Sequence, residues 1–332
     1  MRPILLLLAA TFTTLAATPC LEPNAACSEP VQLPDGWLLV YRNFALTQAN
    51  PGLTRAVIVL HGAQRNGDGY FATALGSAAS RGALMNTLIV APHFKGNDGR
   101  ACKDPVAPGE FKFGCGQWNA GYAALGAQSN SFDVMDRLLQ MLADSKVFPN
   151  LKEIVFAGHS AGGQFNQRYA AMNQVDGKLP VPIRYVVANP SSYLYLDEMR
   201  LRGTCAVDGT CTGTWAAYSD AANCTTYNRY RYGLDKPEGY LAQIPAEQVK
   251  KQLATRQITY LIGDLDQLPD TDLDKSCPAM AQGLNRRERG INYWNYIRAR
   301  YHAQHQLVIV PRCGHNAACM FVSAAGAKVL FP

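Results

Sequence analysis

The chain has 332 residues, of which 48% are hydrophobic and 17% charged. That is enough apolar material for a large core and too little charge for a disordered chain. The formal charge is +6, but the basic residues are scattered rather than gathered on one stripe, which argues against a nucleic-acid partner.

The start, MRPILLLLAATFTTLAATPC, sets one arginine before a short apolar run that ends in small residues. Residues 1–17 are predicted to be a secretory signal peptide; losing them removes Arg2 and leaves +5. Neither this run nor any later one is long enough to span a bilayer. The ten cysteines agree with export: the count is even and no C-x-x-C pair suggests zinc. Near neighbours are expected to pair, Cys102 with Cys115, Cys205 with Cys211 and Cys313 with Cys319. Cys20 with Cys27 and Cys224 with Cys277 complete the set. The expected location is extracellular, or periplasmic in a bacterial host.

Along the chain, six short β-branched runs stand out: AVIVL (56–60), TLIVA (87–91), EIVFA (153–157), RYVVA (184–188), TYLIG (259–263) and LVIV (307–310). They are continuously apolar rather than alternating, as strands buried on both faces of a parallel sheet are. Residues 37–41 suggest an added antiparallel edge strand. Phe132, Met135, Leu138, Leu139 and Leu142 recur at helical spacing, with Asp133 and Asp136 early, where the helix dipole favours acids. Phe165, Tyr169 and Met172 mark a helix starting just after Ser160, and a last helix is expected over 317–330. Strands alternating with helices predict a doubly wound, mostly parallel α/β sheet, as a single domain over 18–332.

Two stretches break the alternation. Residues 94–126 form a Gly-, Cys- and Lys-rich connection, and residues 191–248 a Tyr-rich insertion with three cysteines. Both are read as excursions over the carboxyl edge of the sheet, the second as a disulfide-tied lid or cap. Its aromatics, and Trp118, are expected to form core rather than to line a cleft. The cluster Arg286-Arg287-Glu288-Arg289 reads as a solvated helix face.

Gly158-His-Ser160-Ala-Gly162 lies between the EIVFA strand and the helix that follows it. A serine on a tight strand–turn–helix junction, flanked by glycines because strand and helix pass too close for side chains, is the setting of an activated nucleophile. The turn sets Ser160 at the positive end of a helix. A neutral serine needs a base, and the base needs an acid to hold its tautomer. Of six histidines, His61 and His159 sit within glycine turns, and His302 and His305 read as surface. His93 follows a strand, and His315 follows the last strand in a turn flanked by Cys313 and Cys319. His315 is preferred over His93. The acid should end the TYLIG strand, where Asp266 is preferred over Asp264. Oxyanion donors are expected from Ala161 and from the turn after AVIVL, with Ala63 preferred to Gln64. Asp270-x-Asp272-x-Asp274 lacks the glycine and glutamate of a calcium loop and reads as a solvated acidic loop. This chemistry calls for no metal or cofactor.

The order Ser…Asp…His, the LHGAQRN turn and the GHSAGGQ junction resemble the α/β-hydrolase superfamily. Within it the chain is most similar to secreted serine esterases, near polyhydroxyalkanoate depolymerases, feruloyl esterases and cutinase-like polyesterases. GHSAGGQFNQRYA, NPSSYLYL, YNRYRYGL and SCPAMAQGLNRRERG resemble an extracellular branch of these hydrolases. The resemblance runs from about residue 55 to the end. It implies attack on a carbonyl, an acyl-enzyme and release by water. The expected partner is a small or polymeric ester substrate, and the expected state is a monomer. The long insertion departs from compact cutinase-like chains and suggests a partly covered pocket. Two alternatives are a peptidase or acyltransferase using the same machinery, and a non-catalytic extracellular binding module.

Overall fold

The computed structural model describes residues 18–332; the predicted signal peptide lies outside the described residues. In chain order the strands are β1 (Ser28–Leu33), β2 (Gly36–Arg42), β3 (Arg55–Leu60), β4 (Thr87–Pro92), β5 (Lys95–Gly96), β6 (Lys112–Phe113), β7 (Glu153–His159), β8 (Ile183–Ala188), β9 (Met199–Arg202), β10 (Thr214–Ala217), β11 (Gln257–Gly263) and β12 (Gln306–Val310). The helices are α1 (Gly67–Ser80), α2 (Ser131–Leu142), α3 (Ala161–Met172), α4 (Ala246–Thr255), α5 (Cys277–Met280), α6 (Arg286–Tyr301), α7 (Ala317–Val322) and α8 (Ala324–Leu330).

The six β-branched runs become β3, β4, β7, β8, β11 and β12 of one eight-stranded sheet, in the order β1-β2-β4-β3-β7-β8-β11-β12. These six pair in parallel. The strand expected over 37–41 is antiparallel, but it lies one in from the edge, because β1 pairs outside it. Successive residues of β3 serve opposite faces: Ala56, Ile58 and Leu60 join α2, α3, α4 and α6, whereas Val57 and Val59 join α1, α7 and α8. Burial on both faces explains why the runs are continuous rather than alternating.

From β3 the chain crosses to β4 on one side and then to β7 on the other. The loops leaving β3 and β7 therefore part at one crevice beyond the carboxyl ends of the strands, where ligands bind in open α/β sheets.

The helix expected over 317–330 is two helices. Ser323 is extended (ψ 155) and caps α8 by accepting the Gly326 N–H. Insertion 191–248 carries the β9–β10 hairpin and is tied by Cys205–Cys211 and by Cys224–Cys277. Cys20–Cys27, Cys102–Cys115 and Cys313–Cys319 complete five disulfides between the expected neighbours. Its aromatics are largely core. Tyr193 stacks on Tyr293 with centroids 4.6 Å apart, and Tyr195 and Trp215 pack on Tyr296. Trp118 is fully buried against Phe94 and His61.

Two further expectations are corrected. His305 is not on the surface: it is 4% exposed and bridges the Tyr260 hydroxyl and the Leu253 carbonyl. Arg286 and Arg289 are not on a solvated face either, being 1% and 0% exposed. α6 lays them under the loop that follows β11, and ion pairing and carbonyl acceptors supply what water would otherwise supply.

Candidate active site

β7 ends at His159 and α3 begins at Ala161, so Ser160 alone makes the turn. Its φ of 57° and ψ of −120° are strained for a residue with a side chain. A Cβ on Gly158 would strike the carbonyl of Gly162, and one on Gly162 would strike the carbonyls of Leu60 and His61. The two glycines let strand and helix close on each other and lift Ser160 into the crevice.

His315 reaches Ser160 from the loop after β12, inside the ring closed by Cys313–Cys319. Its Nε2 lies 2.9 Å from Ser160 Oγ, and its Nδ1 lies 2.8 Å from Asp266 Oδ2. A carboxylate only accepts, so Nδ1 carries the proton and Nε2 is left to accept from the serine hydroxyl. Asp266 is 2% exposed. Asp264 points outward and pairs with Arg287 at 3.5 Å. His93 is T-shaped against His61 and lies outside the cleft.

One neighbour of this chain of groups was hidden in the sequence. Arg286, its side chain 0% exposed, lies 3.5 Å from Asp266 Oδ1. Both oxygens of Asp270 grip it at 2.7 and 2.8 Å. The available signal was Gly290, one turn on. Its missing Cβ is required by Ile262 and Tyr193, and a glycine inside a helix often marks a face pressed against a neighbour.

A second imidazole backs the first. His159 stacks on His315 with ring centroids 4.6 Å apart, and its Nδ1 hydrogen-bonds the Tyr70 hydroxyl at 3.0 Å. Burial, then the proximity of His315 and Arg286, holds its pKa well below the usual histidine value. His159 is therefore a neutral platform.

The turn after β3 is set by side chains. His61 Nε2 accepts the Phe94 N–H at 3.0 Å, so its Nδ1–H donates to the Gly62 carbonyl at 2.9 Å. Burial, reinforced by His93, pushes the His61 pKa down to about 3. Arg65, held by both oxygens of Asp104, donates to the Ala63 carbonyl at 2.7 Å. In a planar trans peptide the N–H opposes the carbonyl, so pinning Gly62 O aims the Ala63 N–H and pinning Ala63 O aims the Gln64 N–H. Ala63 and Gln64 line the cleft with Ser160 and His315. Ala161 is the first residue of α3, where an N–H has no intrahelical acceptor.

The cleft is about 320 Å³. Among the described residues, none of 191–248 lines it. Asp270, Asp272 and Asp274 turn to separate partners: Arg286, Gln64, and Tyr232 with Ser276.

No protein-family model and no curated protein matches the chain. Solved structures do. A poly(aspartic acid) hydrolase from Sphingomonas sp. KT-1 superposes with a TM-score of 0.62 at 21% identity, over 92% of this chain and 98% of that one. A poly(3-hydroxybutyrate) depolymerase from Bordetella parapertussis gives 0.59 at 22% identity, over 90% and 84%. The fold is that of the α/β hydrolases. At such identity the likeness carries architecture, and an α/β-hydrolase scaffold hosts many chemistries, so function has to be argued from the site.

Proposed function

We propose that the protein is a secreted serine hydrolase that cleaves carboxylic esters through an acyl-enzyme. The observation that carries this is the unbroken Ser160–His315–Asp266 chain at 2.9 and 2.8 Å on a strained glycine-flanked turn. Ser160 Oγ attacks the ester carbonyl as His315 Nε2 takes its proton. Asp266 holds the imidazole and balances its charge. The tetrahedral oxyanion forms between the N–H groups of Ala161 and Ala63. His315 then protonates the leaving alcohol, and water repeats the sequence on the acyl-enzyme. Residues 18–332 act as one catalytic domain, with 191–248 as a cap braced beside the cleft. The disulfides support export. Among the described residues no helix is long and apolar enough to cross a membrane.

The test is labelling with a fluorophosphonate, with Ser160→Ala as control. It is followed by rates on matched esters and amides, with water or an alcohol as acceptor. One adduct on Ser160 and faster ester hydrolysis are expected. A folded protein that takes no label would favour the binding-module reading, and faster amide cleavage would favour a peptidase.

A further inference from the structure

We infer that Asp272 makes the cleft select substrates by charge, favouring esters that carry an ammonium or guanidinium group over neutral and anionic ones; this rests on Ser160 being an activated nucleophile. Among the described residues lining the cleft, Asp272 is the only Asp, Glu, Lys or Arg. The loop after β11 holds four other aspartates, and each is occupied. Arg287 pairs with Asp264, Arg286 with Asp266 and Asp270, and Asp274 accepts from Tyr232 and Ser276. Asp272 has no cationic partner among the described residues, and its one side-chain contact is the Gln64 amide at 3.3 Å.

Asp272 is also held in place. Its N–H donates to Asp270 Oδ1 at 3.0 Å, and that carboxylate is clamped on the buried Arg286, which touches Asp266. Further along, the Asp274 N–H is fixed by Ser191 Oγ at 2.8 Å, and Cys277 is cross-linked to Cys224. A carboxylate with no cation beside it thus reaches across the cleft to the Gln64 amide, on the turn that also carries Ala63.

The molecule as a whole has the opposite sign, with a formal charge of +5 once Arg2 is lost. Distance decides between the two. Beyond about 8 Å physiological salt screens scattered surface charges, while a carboxylate in contact with the substrate keeps most of its effect. Asp272 is exposed, and for an exposed carboxylate the expected discrimination is about two- to fivefold per unit of substrate charge.

The probe is a matched series of fluorophosphonates whose alkyl arm ends in a trimethylammonium, a tert-butyl or a carboxylate group. The readout is the second-order rate of Ser160 modification, which does not depend on whether the natural bond is ester or amide. The cationic probe should react about two- to fivefold faster than the neutral one, and the anionic probe slower by a similar factor. Asp272→Asn should bring the three within about twofold of one another, and high salt should narrow the wild-type spread. Equal rates in the wild type, a faster anionic probe, or an order that survives in Asp272→Asn would each overturn the inference. Failure of even the neutral probe to label folded protein would instead remove the serine-hydrolase reading, and this inference with it.

Discussion

Arg286 and Asp266 share a buried site, with Nη1 of one 3.5 Å from Oδ1 of the other and their side chains 0% and 2% exposed. The carboxylate that orients His315 is therefore balanced from behind by a fixed cation, which Asp270 in turn holds. Removing one partner of a buried ion pair typically costs about 3–5 kcal/mol. Arg286→Gln is expected to lower stability by about that much and to reduce kcat at least tenfold with KM little changed, because Asp266 loses its place. Arg286→Lys should recover part of kcat. Chemical denaturation and steady-state kinetics on one ester check both. An unchanged kcat would separate Arg286 from the reaction.

The conformation of Ser160 carries a cost that glycine would not bear. Strain of this kind is about 1–3 kcal/mol, so Ser160→Gly should raise the melting temperature by a few degrees while abolishing labelling and turnover. Calorimetry beside the activity assay measures both, and a lower melting temperature would contradict the strain argument.

The six-residue separation of Cys313–Cys319 places His315 inside a small covalent ring. Chain-entropy reasoning assigns a ring of this size about 2 kcal/mol, modest against the stability of a large domain. The double variant Cys313→Ser with Cys319→Ser should thus stay folded at 25 °C while its kcat drops about tenfold or more, as His315 loses its fixed angle to Ser160. Far-UV circular dichroism and kinetics distinguish this from unfolding.

Acid should weaken the fold. Burial lowers His61 to about 3 and His305 to about 4 from the usual 6.5. Between those values and 6.5 the unfolded chain binds protons that the native one refuses. Their contribution is full above 6.5 and lost as pH falls toward the folded values, about 2 kcal/mol each at pH 5. Asp136 works in the opposite sense. Burial raises it to about 6, so its contribution is present below 3.8 and lost as pH rises through 6. Two histidines outweigh one carboxylate, and the melting temperature should fall from pH 7 to pH 5. A flat profile would refute this.

The parallel sheet was legible in the sequence because its strands are buried on both faces and leave unbroken apolar runs. β1 was not. SEPVQL carries Pro30 and Gln32 toward solvent, and on its other side the ion-paired Glu29 leaves only Val31 and Leu33 to mark the core. That Ser160 and His315 would meet was readable from their turns. Two residues of spacing could not tell Asp266 from Asp264, since which one faces inward depends on α6 packing behind the loop. Arg286 and Arg289 were misread for the same reason. Hydropathy sees a charge, but not Asp270, sixteen residues earlier, that neutralises it.

The Cys224–Cys277 bridge spans 53 residues, joining the insertion to the stretch just beyond Asp274. It makes the insertion and the acid-bearing loop one covalent body. A protease cut anywhere between the two cysteines would leave both fragments attached, so a nicked molecule would keep its mass until reduced. Heat that loosened the insertion would pull on the loop that holds Asp266, and loss of turnover would track the insertion's disorder ahead of the central sheet's collapse.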